Sequence, residues 1–269
     1  MTEPNILWPP GPTSFRLSPG EIHLWCTLLD LPPEATRQLA SVLSEDERDR
    51  AARFGRELLR TRFVAARGTL RSLLGRCLGA PAEEIQICYG GHGKPALAAP
   101  WDAAGIHFNM AHSRNLAVFA LSGGLDLGVD VEWVRPMRNM WQLVERYFSP
   151  QEQQQWRQMD DAQRQIAFFR GWTRKEAWLK GLGTGLTFPL EDFTVSLDEP
   201  ARLLAIRGDA DQAARWWLES GVPAENALAA VACLGRPTAV ARWAWPDFLS
   251  PSPPAGEGRG EGRIGQNRS

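Results

Sequence analysis

Lysine is nearly missing from this chain. Of its 30 basic residues, only Lys94, Lys175 and Lys180 are not arginine. A surplus of either charge is missing too. The 30 basic residues face 31 acidic ones, for a formal net charge of −1. Such a chain has no global field to draw it onto nucleic acid or an anionic membrane. Only four cysteines are present (Cys26, Cys77, Cys88 and Cys233), with no C-x-x-C and no zinc-like spacing. They read as reduced thiols of a cytoplasmic protein. No apolar run approaches the roughly 18 residues that span a bilayer. The start, MTEPNILWPPGPTSF, lacks a basic region followed by an apolar one, so no signal peptide is expected.

What is present is a globular composition, 43% apolar and 23% charged, in 269 residues. That length can bury one large core or two smaller ones. EIHLWCTLL, Glu21–Leu29, reads as a strand. SEDERDRAARF opens with a capping box, Ser44 to Glu47, and SPQEQQQW repeats the device from Ser149 to Glu152 with Pro150 in the first turn. Two long helices follow these starts, one ending at Gly79 and the other at Gly183. EEIQICY, GIHFNMA, NLAVFALS, LGVDVEWV, EDFTVSL and NALAAVACL read as strands, RLLAI and ARWWLE as weaker ones. LLGRCLGAPAEEIQI and LKGLGTGLTFPLEDFTV echo each other as helix end, glycine, proline, acidic pair and strand. The echo predicts an α+β fold of two similar halves, with a cleft between them as the natural site. The expected boundaries are a loose segment 1–20, halves 21–124 and 125–249, and a disordered tail 250–269.

LGVDVEWV alternates, so Gly128, Asp130 and Glu132 share one face of a strand. Two carboxylates that close repel unless a cation lies between them, and a hard divalent ion suits an oxygen-only pair. The plainer alternative is the solvent face of an edge strand. On the second long helix, Glu176 and Lys180 are spaced i,i+4 on one face, a surface ion pair or a third acid and an ammonium beside a Mg²⁺–diphosphate site. A compact ammonium fits a crowded phosphate pocket better than the broad Arg fork, a reason to keep lysine there. His112, at a strand end, could reach a phosphate or serve structure alone.

GKPAL, HFNMAHS, GVDVEWV and WTRKEAWLKGLGTGL, in this order, resemble the 4′-phosphopantetheinyl transferases of the long, two-half type that activates surfactin-like peptide synthetases. The likeness runs from about Glu45 to Leu197. It implies transfer of phosphopantetheine from coenzyme A to a serine of an apo carrier protein, with Mg²⁺ as cofactor and release of 3′,5′-ADP. It also implies two halves related by a pseudo-twofold, with the site at their interface. By position, Asp130 and Glu132 match the metal-binding acids. Glu176 matches a third ligand and base, and Lys180 the lysine that neutralises the diphosphate. Lys94, His112 and Ser113 match residues at the coenzyme A phosphates, Arg62 and Arg50 match basic positions near the 3′-phosphate, and Lys175 a supporting lysine. Glu152 matches an acid without a settled role. Ala111 departs from the family's usual serine, which implies a lost hydroxyl contact to phosphate. The acidic, helical carrier is expected on a patch of Arg135, Met137, Arg138, Met140 and Trp141. The enzyme is expected to be a monomer that binds neither nucleic acid nor membrane. A Mg²⁺-dependent nuclease built on the same D-x-E and E-x-x-x-K is the competing reading, weakened by the absence of a clustered basic face.

Overall fold

The alternating EIHLWCTL forms strand β1 (Glu21–Leu28), and Ser44 caps a short helix as its box predicts. The computed structural model in which these elements are seen describes residues 4–183 and 185–245, with only the backbone of Leu186. The tail expected from 250 onward lies outside the described residues. After β1 come helices α1 (Pro33–Ser41), α2 (Glu45–Ala52) and α3 (Glu57–Leu78), then strands β2 (Ile87–Tyr89), β3 (Pro95–Leu97), β4 (Ile106–Ser113) and β5 (Leu116–Gly123). The second half opens with β6 (Leu127–Trp133), α4 (Met140–Tyr147), α5 (Pro150–Arg157) and α6 (Asp161–Leu182). It continues with β7 (Phe193–Val195), β8 (Leu203–Ile206), α7 (Ala210–Ala214), β9 (Trp216–Gly221) and β10 (Ala227–Leu234), and β11 (Ala239–Ala244) follows.

The halves repeat each other. One sheet runs β11-β1-β5-β4 and the other β6-β10-β9, so the order β1-β5-β4 recurs. Each long helix ends at a left-handed glycine, Gly79 or Gly183, and a proline then leads a single 3-10 turn into a two-stranded ribbon. The echo in the sequence is therefore an echo in structure.

A buried clamp repeats as well. Glu47 and Glu152 close their capping boxes, and both are almost wholly buried. A buried carboxylate needs a partner, and each long helix supplies one. Arg67 donates to Glu47 at 2.8 Å, and Arg71 donates to its other oxygen. Lys175 meets Glu152 at 2.8 Å. The same cations bind the next turn of chain: Arg71 donates to the Ile85 carbonyl at 2.7 Å, and Lys175 to those of Leu190 (2.8 Å) and Phe193 (2.6 Å).

The layers run helix, sheet, sheet, helix. Trp25, Phe108 and Phe119 pack on α3 residues Leu70, Leu73 and Leu74. Ile22, Leu24 and Val118 face Val129, Val131 and Val231 across the space between the sheets. Ala230 and Ala232 lie under Ala177 and Trp178 of α6. The outer strands β4 and β6 meet along the seam, where the Asn109 side chain accepts from the Val129 amide at 3.0 Å.

Two expectations need correction. The N-terminal segment is not loose: Leu7 donates to the Pro223 carbonyl and Gly11 to that of Ala244, both at 2.9 Å, with Trp8 buried between the sheets. An apolar indole outweighs the prolines around it. The last strand, β11, placed in the second half by its position in the chain, pairs in parallel with β1 of the first. Helices α1, α4 and α7 were not read from the sequence either.

One close approach places the site. A β-carbon on Gly128 would lie 2.1 Å from the Gly181 nitrogen and 2.3 Å from the Ala177 carbonyl, so β6 and α6 touch backbone to backbone. Gly128→Ala is therefore expected to push α6 off the sheet, cost about 1–3 kcal/mol in urea unfolding and lower activity beyond that cost. Gly55→Ala, where a β-carbon meets nothing within 4 Å, should change stability by no more than about 0.5 kcal/mol. Equal stability of the two variants would remove the close approach from the account.

Candidate active site

Alternation along β6 turns Leu127, Val129 and Val131 to the opposing sheet and leaves Gly128 and Asp130 facing α6. The Asp130 carboxylate meets Lys180 at 2.6 Å through Oδ1. Its Oδ2 is buried with no hydrogen-bond partner. Burial pushes Asp130 up to about 7; Lys180 opposes the shift, and the charges of Glu176 and Glu132 add to it. Glu176 is raised too, chiefly by burial, with Glu132 adding and Lys180 opposing. Glu132 accepts from the Ser113 hydroxyl at 2.7 Å and from Arg135 at 3.2 Å. The i,i+4 pair on α6 and the D-x-E of β6 thus occupy one neighbourhood.

The expected three-acid metal centre is not closed in this arrangement. Among the described residues, no three His, Cys, Asp or Glu side chains gather around a point that could hold a metal ion. The chain's own cations pair with two of the acids instead: Lys180 holds Asp130 through one oxygen, and Arg135 holds Glu132. The donor set still suits a hard divalent ion, because all three groups are carboxylates and the Asp130 Oδ2 is orphaned.

Across the seam, β4 points Phe108, Met110 and His112 toward the α3 side and Asn109, Ala111 and Ser113 toward β6. His112 joins Arg50 and Arg62 in lining a cavity of about 330 Å³, with Phe54 and Phe63 as an apolar wall. Three residues expected at one phosphate-bearing ligand are thus brought together. Arg62 is held in a two-pronged pair with Asp30, at 2.6 and 2.7 Å. His112 is lowered first by burial and then by Lys180; Arg62 adds to this and Glu132 opposes it. It therefore stands electrostatically between the arginine cavity and the acids.

Sequence reasoning missed two lining residues, Arg67 and Arg114. Arg114 sits at φ 54° in the tight connection of β4 to β5. The available signal was the pair Arg114-Asn115 between two apolar strands, which marks a hairpin turn.

Five expected roles change, the first being that of Ser113, whose hydroxyl is spent on Glu132. Lys175 does not face a ligand: it is fully buried, on Glu152 and two carbonyls, with the Phe193 ring 4.3 Å away. One residue step on a helix turns a side chain about 100°, which separates Lys175 from Glu176. An ammonium has three donors, and this pocket offers three acceptors. Lys94 lies outside the arginine cavity and donates to the Gly181 carbonyl at 3.0 Å, tying the β2–β3 ribbon to the end of α6. Ala111 is buried in the core between the sheets, so a hydroxyl there would not face the cavity. Of the expected carrier patch, Met140 belongs to the core, whereas Trp141 and Arg138 are exposed.

The comparisons with known proteins point to one family. Residues 126–232 match the model of the 4′-phosphopantetheinyl transferase superfamily, and residues 32–123 match that of the 4′-phosphopantetheinyl transferase N-terminal region. The chain is 40% identical to the 4′-phosphopantetheinyl transferase HetI of Nostoc sp., over 85% of this chain and 94% of that one. The slr0495 protein of Synechocystis sp. is 34% identical over 67% of this chain and 72% of its own. The 4′-phosphopantetheinyl transferase Sfp of Bacillus subtilis is 25% identical over 64% and 75%.

Proposed function

Because this chain belongs to the 4′-phosphopantetheinyl transferase family, we propose that it moves 4′-phosphopantetheine from coenzyme A to a serine of an apo carrier protein, in a Mg²⁺-dependent reaction that releases 3′,5′-ADP. The observation that carries this reading is the meeting of Asp130, Glu176, Lys180 and His112, drawn from three elements, beside a cavity lined with arginines.

In this reading Arg50, Arg62 and His112 take the phosphate-bearing nucleotide end of coenzyme A. Asp130, Glu132 and Glu176 would hold Mg²⁺, and Lys180 is free to turn from Asp130 toward the diphosphate. The bound ion supplies charge neutralisation on the diphosphate. The serine oxygen attacks the β-phosphorus, the bond to the bridging oxygen breaks, and the electron pair leaves with 3′,5′-ADP. Glu176, whose proton affinity burial has raised, takes the serine proton. Ser113 and Arg135 steady Glu132 rather than the ligand. A monomer suffices, since the two halves already bring both walls of the site together. The carrier would dock beside exposed Trp141 and Arg138. A cytoplasmic location is part of this proposal; among the described residues, no helix is long and apolar enough to cross a membrane. The nuclease reading gains no support, because the family matches are to phosphopantetheinyl transferases.

The direct test is to incubate the protein with coenzyme A, Mg²⁺ and a panel of apo carriers from fatty-acid, polyketide and peptide synthases. The expected result is a phosphopantetheine mass increase on a carrier serine, lost on adding EDTA. An unmodified panel, with a reference transferase active in parallel, would refute the proposal.

A further inference from the structure

Strand β9 is the outer strand of its sheet, and β8 borders a separate two-stranded ribbon. Between them runs a groove of about 810 Å³, with residues 199–203 on one bank and 216–220 of β9 on the other. Exposed edges are commonly blunted by proline, lysine or a bulge. The β9 sequence WWLESG contains none of these residues, and its one charge, Glu219, is paired with Arg242.

The groove is braced from beneath. Arg174 of α6 is fully buried, and its donors join the two banks: Ser220 Oγ at 3.0 Å on β9, then the carbonyls of Ser196 (2.6 Å) and Asp198 (2.7 Å) and the Glu199 carboxylate (2.7 Å) opposite. With Glu199 and Glu219 so occupied, the charge left in the groove is positive. Arg202, Arg215 and Arg236 are exposed, line it, and have no acidic partner among the described residues. A second cavity, about 420 Å³ and apolar, opens beside Arg215 and Trp216, with Trp178, Leu182, Phe188 and Leu234 in its walls.

We propose that this groove binds an extended acidic peptide segment of a partner protein, which adds as a strand to the free edge of β9 and places one bulky apolar side chain in the cavity beside Arg215. Strand addition draws affinity from main-chain hydrogen bonds and selectivity from alternate side chains. Here acidic side chains of the segment meet Arg202, Arg215 and Arg236, and the apolar one meets Trp216 at the mouth of the second cavity. This surface lies behind α6, on the face opposite Glu176 and Lys180, so the proposal is independent of the transfer reaction.

The test uses the whole protein and a short fluorescein-labelled peptide that alternates glutamate with valine around one phenylalanine. Fluorescence anisotropy should show saturable binding, weakened at least tenfold in the doubly substituted Arg215→Glu, Arg236→Glu protein and unchanged in Glu176→Gln. N-methylation of alternate peptide amides should abolish binding, and phenylalanine to alanine in the peptide should weaken it. No binding, or equal binding of the methylated peptide, of a lysine–valine peptide or of single-stranded DNA, would overturn the proposal. So would full affinity in the doubly substituted protein if its circular dichroism and melting temperature match the parent's.

Discussion

Glu176→Gln is expected to reduce kcat by on the order of 10²–10⁴-fold while leaving the fold intact. The substitution keeps the shape of the side chain and removes only its capacity to bind a proton or an ion. Stability should not fall. Burial raises the Glu176 pKa in the folded state, so above its unfolded value the ionised group opposes folding. Glutamine removes that opposition, and the melting temperature near pH 8 should stay level or rise. Single-turnover measurement with a saturated apo carrier reads the effect on chemistry directly. Turnover near that of the parent protein would end the assignment of Glu176 as base and ligand.

Lys175→Met should do the reverse, with a large loss of stability and little effect on the site. Removing one partner of a buried ion pair leaves the other charge uncompensated, at about 3–5 kcal/mol. For a chain of this size that amounts to roughly 6–20 °C of melting temperature. Adding Glu152→Gln should recover part of the loss, because the uncompensated charge goes with it. Protein that remains folded should bind coenzyme A as the parent does. A raised KM for coenzyme A at an unchanged melting temperature would instead make Lys175 a ligand residue and refute the clamp. Lys180→Met is the natural contrast, since that ammonium sits on Asp130 at a partly open margin.

The two lysines show how far spacing could lead. Both lie in WTRKEAWLK, and the motif treats both as part of one site. The helical period put Lys180 with Glu176 and could have turned Lys175 away, but the period alone does not say what awaits on the far side. The answer lay in Ser149-x-x-Glu152, legible as a cap, whose acid also reaches the Val195 amide at 2.7 Å. Nothing local announces that a capping glutamate will be buried against another helix. The arginine cavity is similar. Arg50 and Arg62 were found through a family pattern, whereas Arg67 and Arg114 enter by way of a helix face and a turn that only packing brings together.

By itself the sequence determined what short-range chemistry can determine. Capping boxes set the starts of α2 and α5, left-handed glycines set the ends of the two long helices, alternation set the face carrying Asp130, and the i,i+4 step set Lys180 beside Glu176. Repeated signals also marked two like halves. The tertiary structure decided the rest: the N-terminal strap around Trp8, the return of β11 to the first sheet, the backbone contact at Gly128 that lowers α6 onto the acids, and the burial of Lys175. These depend on which surfaces meet across long stretches of chain, and burial then assigns each charge a partner that sequence distance does not reveal.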